Sequence, residues 1–124
     1  MAKILVIDDD PSIVELIKTV LKIKGHKVFV GRNAQQGLRL MLKEEPDVAI
    51  IDYMMPGRDG LKLLNDIRSV QELKLVPIIM LTGNGEPEVV SKAIQLGITD
   101  FVKKPVKIQA LLERLDKILV NIKD

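Results

Sequence analysis

The sequence predicts an α/β fold built on a doubly wound parallel sheet, and three observations lead there. Short apolar runs alternate with longer segments of helical period. The runs are apolar without interruption, as strands covered on both faces require. The alternation recurs five times with no internal repeat, linker or low-complexity stretch to break it. A length of 124 residues suits one domain, 1–124, with no room for a second.

The elements follow in order. Ile4-Leu5-Val6-Ile7 reads as a strand buried on both faces. Ile13, Val14, Ile17, Val20 and Leu21 then recur at helical spacing, and Gly25 closes that helix. Lys27 to Val30 is a second strand, and Asn33 is placed to cap a helix carrying Leu38, Leu40, Met41 and Leu42. Val48-Ala49-Ile50-Ile51 is a third buried strand. The turn-rich stretch Pro56-Gly57-Arg58-Asp59-Gly60 leads into a helix with Leu61, Leu64 and Ile67. Pro77 to Leu81 is the fourth strand, and Glu88 to Leu96 a helix stopped by Gly97. Thr99 to Val102 is the fifth, and Ile108, Leu111, Leu112, Leu115, Ile118, Leu119 and Ile122 stripe the last helix. Right-handed crossovers between parallel strands make this a three-layer sandwich with helices on both faces.

Composition removes several classes of function. Hydrophobic residues at 47% support a packed core and argue against disorder. Nineteen Lys and Arg against 17 Asp and Glu, a net charge of +2, suit neither a strongly basic nucleic-acid module nor an acidic tail. The absence of Cys excludes disulfide scaffolds, thiol catalysis and cysteine zinc sites. With His26 the only histidine, there is no multi-histidine metal site. Aromatics at 2% are too few for a base-stacking platform. The longest apolar runs, Ile4 to Ile7 and Val76 to Leu81, fall short of a membrane span, and Met1-Ala2-Lys3 opens no signal peptide. The expected setting is cytoplasmic.

In open parallel sheets, ligands bind beyond the carboxyl ends of the strands. Asp8-Asp9-Asp10 follows the first strand and Asp52 the third; the fourth ends at Thr82, and Lys103-Lys104-Pro105 follows the fifth. Each has an ordinary reading. Asp10 before Pro11 is a helix N-cap with proline at the first helical position. A lone Asp is a turn residue, Thr82 a strand end, the lysines a solvated pair. Together they weigh differently, because acids gathered from two strand ends repel one another unless a cation joins them. Asp8, Asp9 and Asp52 with one lysine leave a charge of minus two. Mg²⁺ suits few carboxylates, several waters and an incoming phosphoryl oxygen; Ca²⁺ suits them less, since no D-x-D-x-D-G loop is present.

These residues resemble the receiver domain of two-component response regulators. The match runs across essentially the whole chain: Asp8-Asp9, Asp52 followed by Met54-Met55-Pro56 and Asp59-Gly60, Thr82, and Lys104-Pro105. The resemblance, to chemotaxis-regulator-like receivers, implies the flavodoxin-like strand order 2-1-3-4-5. It implies that Asp52 accepts a phosphoryl group from a sensor histidine kinase, a phosphotransfer protein or a small phosphodonor. Asp9 would bind Mg²⁺ directly and Asp8 largely through water, with Asp52 and the Met54 backbone carbonyl completing the protein ligands. Lys104 would offset charge on the transferring group. Thr82 would bond a phosphoryl oxygen, and Phe101 would stand at the aromatic switch position. Met54 and Asn84 occupy positions thought to tune acyl-phosphate lifetime. Arg58 stands where an apolar residue is frequent, and Val106 where an aromatic is common.

The same resemblance puts the output surface on the fourth helix, fifth strand and last helix. That surface would meet a downstream protein or fused effector, with a dimer through it as a further option. No direct nucleic-acid or membrane contact is expected. Adjacent strand side chains point to opposite faces, so only one of Lys103 and Lys104 can reach the carboxylates. The family lysine precedes proline, which selects Lys104, and a rigid Pro105 ring, more so after a cis peptide bond, would fix its direction.

Other features read more plainly. Gly83-x-Gly85 lacks the third glycine and the Lys-Ser/Thr of a nucleotide loop, and suits a loop that closes on a phosphoryl group. His26 is expected as a surface turn residue, and the methionines as core or loop filler. Two other functions compete with a signalling module that turns over no external substrate. A Mg²⁺-dependent phosphohydrolase of the dehalogenase type needs an acid two residues after its nucleophile, where Met54 stands. A phosphorylation-independent scaffold of the same fold usually lacks a site residue, whereas Asp9, Asp52, Thr82 and Lys104 are all present.

Overall fold

The computed structural model describes residues 1–55, 60–83 and 87–122. Its elements alternate: β1 (Lys3–Ile7), α1 (Pro11–Ile23), β2 (Lys27–Gly31), α2 (Ala34–Glu44), β3 (Val48–Asp52), α3 (Gly60–Ser69), β4 (Ile78–Thr82), α4 (Pro87–Gln95), β5 (Asp100–Lys103) and α5 (Ile108–Ile122), with a 3₁₀ turn at Gln71–Leu73. The five strands form one parallel sheet in the order β2-β1-β3-β4-β5. The doubly wound, flavodoxin-like sandwich expected from the sequence is the fold observed.

Strand alternation sorts the core into two halves. Ile4, Val6, Val48, Ile50, Ile79, Leu81 and Val102 face α1 and α5, packing on Val14, Ile17, Leu111 and Leu115. Leu5, Ile7, Ala49, Ile51, Ile78 and Met80 face the other way, onto Met41, Leu63, Leu64 and Ile67. Strands β3 and β4 are buried along their whole length, whereas edge strand β2 is mostly half-buried. That pattern is why the central runs read as continuous apolar blocks.

Helix ends follow local chemistry. Asp10 caps α1 as expected, its carboxylate accepting from the Ser12 amide at 2.9 Å and the Ile13 amide at 3.5 Å, with Pro11 at the first position. Asn33 caps α2 through the Gln36 amide at 2.8 Å. Gly25 and Gly97 take φ of 91° and 92°, the left-handed conformation that stops α1 and α4. Helix α2 ends instead on Glu45, which adopts φ 48° without being glycine.

Some expectations shift. The fourth strand starts at Ile78, because Pro77 has no amide to donate and only its carbonyl joins the sheet, accepting from Ala49 at 3.0 Å. The fifth starts at Asp100, since Thr99 uses its hydroxyl to accept the Ile78 amide at 3.2 Å. Asp52 and Thr82 belong to their strands as final residues, and α4 runs from Pro87 to Gln95. On α2, Leu42 is about half exposed; Ala34, Gly37 and Met41 are buried, Leu38 and Leu40 pack partly against the same core, and the helix comes closest to the sheet at Gly37. His26 is half-buried rather than a plain surface residue, its Nδ1 accepting the Ala2 amide at 3.2 Å. On α5, Leu111, Leu115, Ile118 and Leu119 are buried core, as the stripe predicts. The turn at Pro56–Asp59, with Arg58, and Asn84 and Gly85 lie outside the described residues, as does the Ile122 side chain. Among the described residues, no helix is long and apolar enough to cross a membrane.

Candidate functional site at the carboxyl edge of the sheet

Three strand ends and the segment after β5 bring the site together. Asp8 follows β1, Asp52 ends β3, Thr82 ends β4 and Lys104 follows β5. Parity along each strand decides which side chains meet. Asp8, Asp52 and Lys104 stand two residues beyond Val6, Ile50 and Val102, all of which face α1 and α5. Lys103 instead shares the parity of Phe101, on the opposite face.

The contacts agree with that geometry. Lys104 Nζ lies 2.8 Å from Asp52 Oδ1 and 3.9 Å from Asp8 Oδ2, while Lys103 is exposed. The Lys104 amide donates to the Thr82 carbonyl at 2.6 Å, tying β5 to β4 at the site itself. The Lys104–Pro105 peptide bond is cis.

The three acids occupy different environments. Asp8 and Asp52 are buried, with 0% and 2% of their surface exposed, while Asp9 is open to solvent. Asp8 Oδ1 accepts the Asp10 amide at 3.0 Å, so the residue that caps α1 also holds the acid two positions before it. Asp52 Oδ1 accepts the Met54 amide at 3.3 Å, with the Met54 side chain exposed. Burial pushes the Asp8 carboxyl up to about 6; the Asp52 charge adds to the rise, and the Asp10 amide and Lys104 oppose it.

One carboxylate oxygen from each of Asp8, Asp9 and Asp52 lies within 4.8 Å of the other two. Asp8 Oδ2 is buried without a hydrogen-bond partner. A buried, unsatisfied oxygen within a cluster of hard donors fits a small divalent cation, and this donor set suits Mg²⁺. Thr82 Oγ1 is likewise buried without a hydrogen-bond partner.

Beyond Thr82, a groove of about 420 Å³ opens between α4 and β5, lined by Thr82, Val90, Ile94, Phe101 and Lys103 among others. Thr82 and the half-buried Phe101 therefore share one cavity.

Gly60, read in the sequence as a turn residue and as part of the family match, also packs against the site, a role the sequence reading did not assign it. Its amide donates to the Tyr53 carbonyl at 2.7 Å, and a Cβ there would fall 2.7 Å from Tyr53 Cα and 2.9 Å from the Asp52 carbonyl oxygen. The start of α3 thus packs on the backbone of Asp52.

The family model for the response regulator receiver domain matches residues 4–116. The chain belongs to the response regulator receiver family. It is 36% identical over 97% of its length to the probable transcriptional regulator ycf27 of Porphyra purpurea. It is 31% identical over 94% of its length to the phosphate regulon transcriptional regulatory protein PhoB of Pseudomonas aeruginosa. The chain spans about half of each of these relatives, 51% in both cases. A response regulator receiver domain protein from Clostridium thermocellum superimposes with a TM-score of 0.90 at 32% identity, over 99% of this chain and 98% of that one. This receiver is thus a domain of two-component signalling, consistent with control by phosphorylation.

Proposed function

We propose that residues 1–124 act as one phosphorylation-switched receiver domain in which Asp52 is the phosphoacceptor. The observation that carries this reading is a buried carboxylate gripped by a lysine ammonium at 2.8 Å, beside two further acids. A carboxylate oxygen of Asp52 attacks phosphorus in a kinase phosphohistidine, a phosphotransfer protein or a small acyl phosphate. The new O–P bond forms as the bond to the donor breaks, and the leaving atom keeps the electron pair.

Asp8, Asp9, Asp52 and the Met54 backbone carbonyl would hold Mg²⁺. The ion would supply charge neutralisation for the incoming phosphoryl oxygens. Lys104 supplies one positive charge from the protein side, already in place. After transfer, the Thr82 hydroxyl donates to a phosphoryl oxygen and gains the partner it lacks. Closing on the site would draw the Thr82 end of the α4–β5 groove inward and reorient Phe101. The surface of α4, β5 and α5 then meets a downstream protein or fused effector, or a second copy. The domain works in the cytoplasm, turns over no external substrate, and contacts neither nucleic acid nor membrane itself.

The test is incubation with acetyl phosphate and Mg²⁺, then borohydride trapping and peptide mapping. The label is expected on Asp52 alone and absent in Asp52→Asn. A label elsewhere with Asp52 unmodified ends the assignment, and undiminished labelling in excess EDTA ends the role of the metal.

A further inference from the structure

Gly37 sits in the interior of α2, where glycine is a poor helix former. Its surroundings supply a reason for it. A Cβ at Gly37 would fall 2.5 Å from Ile7 Cδ1, 2.9 Å from Cγ1 and 3.0 Å from Cγ2. Gly31, the register partner of Ile7 at the end of β2, has its own missing Cβ position 2.9 Å from Gly37 Cα. The α2 backbone therefore rests directly on the ends of β1 and β2, and the long arm of Ile7 fills the space that a larger helix residue would need. Ile7 is fully buried, so it has nowhere to retreat.

The residue after Ile7 is Asp8. The Asp8 amide donates to the Gly31 carbonyl at 3.1 Å, so the acid hangs from the same two strand ends that α2 presses upon. One of its oxygens is held by the Asp10 amide and the other is buried and unpartnered. A displacement of Ile7 reaches this carboxylate through a single peptide unit.

We propose that Ile7 and Gly37 are a volume-matched positioning pair that sets the height of Asp8 and Asp9 in the acid cluster. Neither residue touches the reacting atoms; they act through the backbone of Asp8. The inference rests on the reading of Asp8 and Asp9 as metal ligands given above. Its core, that Gly37 governs where Asp8 sits, can be read without any metal. Gly37→Ala adds one carbon to this contact, and Ile7→Val removes one, the nearest of the three.

The experiment uses the full chain, labelled with ¹⁵N, as wild type, Gly37→Ala, Ile7→Val and the double variant. Amide shifts of Asp8, Asp9 and Gly31 are recorded first without metal. Mg²⁺ is then titrated, followed by the same amides and by emission from Tyr53, the sole tyrosine in a chain without tryptophan. Gly37→Ala is expected to move the Asp8 and Asp9 amides and to weaken Mg²⁺ binding about tenfold, the usual size of an outer-shell effect. The double variant is expected to restore both, with affinity within about twofold of wild type. A folded Gly37→Ala with wild-type shifts and affinity overturns the proposal, as does a double variant no better than Gly37→Ala. If Gly37→Ala alone fails to fold, the double variant decides: wild-type site shifts support the pair, and displaced ones overturn it. If the wild type binds no Mg²⁺, the metal reading fails while the metal-free shifts still judge the pair.

Discussion

The two edges of this sheet are built from the same strands and closed in opposite ways. At the amino edge the polar groups satisfy one another. The Lys3 amide donates to the Asp47 carboxylate at 2.8 Å and the Ala2 amide to His26. Ile78 and Thr99 exchange a reciprocal pair of hydrogen bonds. Arg68 reaches from the end of α3 to the carbonyls of Leu73, Lys74 and Gly97 at 2.9, 3.0 and 2.6 Å. At the carboxyl edge, Asp8 Oδ2 and Thr82 Oγ1 are buried with no hydrogen-bond partner, Asp8 having only the Lys104 ammonium at 3.9 Å.

Buried groups left unsatisfied cost stability, so two of them side by side in sequence-distant strand ends mark a place where a ligand can complete the structure; among the described residues the one other such atom is Arg114 Nε, which has Asp100 within 3.5 Å. The amino edge is finished scaffold. On the function proposed above, the carboxyl edge would be completed by a cation and a phosphoryl group. Changes at the first should alter stability without chemistry, and changes at the second should alter chemistry first.

The largest expected effect tests the carboxyl edge with neighbouring lysines. Lys104→Ala should slow phosphorylation by acetyl phosphate about 10²-fold, as loss of a preorganised charge at a transferring group does. Lys103→Ala, on the other face, should stay within about twofold of wild type. Rates of Asp52 labelling for both variants decide it, and a larger defect in Lys103→Ala would mean that β5 is read in the wrong register.

A second effect concerns the sign of the pH dependence. Asp8 has its carboxyl raised from 3.8 to about 6 by burial. Between those values the folded protein keeps a proton that the unfolded chain has lost. Metal-free stability should therefore fall as pH rises through this window, and the deficit should be complete above about 6. Asp8→Asn should abolish that slope and be on the order of 1–3 kcal/mol more stable than wild type at neutral pH in EDTA. Mg²⁺ binding should run the other way, weakening as pH drops below about 6, because the proton competes with the ion. Urea denaturation at several pH values, with and without metal, reads both slopes. A wild type whose metal-free stability rises with pH in this window would contradict the environment assigned to Asp8.

The smallest chemical effect belongs to the amino edge. Arg68→Met removes the donors for three carbonyls and should cost about 2 kcal/mol of stability. Asp52 labelling should proceed at the wild-type rate under conditions where the variant is folded. A clear loss of labelling rate would show that the two edges are coupled, and that the division drawn above is too sharp.

Much of this molecule was legible before its structure. The strand–helix order, the Asp10 and Asn33 caps, the glycine stops and the two faces of the core follow from short-range pattern, because capping and amphipathic burial are settled within a few residues of chain. So was the gathering of Asp8, Asp52, Thr82 and the lysines at one rim, since each follows a strand and parallel strands end together. The strand order came from resemblance, as no local pattern dictates which strand pairs with which.

Other features depended on packing between distant segments, which neither periodicity nor composition encodes. Two adjacent acids, Asp8 and Asp9, look alike in the chain, yet one is fully buried and the other exposed. The choice of Lys104 over Lys103 could be argued from alternation, but the 2.8 Å contact that accompanies it joins Lys104 to Asp52, residues 52 positions apart. Of the residues read as the apolar side of α2, Leu38, Leu40 and Met41 pack on the core while Leu42 is exposed, and Gly37 lies against Ile7 because the helix comes down onto the strand ends. The sequence by itself determined the elements and the chemistry gathered at their ends; the tertiary structure decided burial, approach and hence charge state, because those depend on what packs across the sheet.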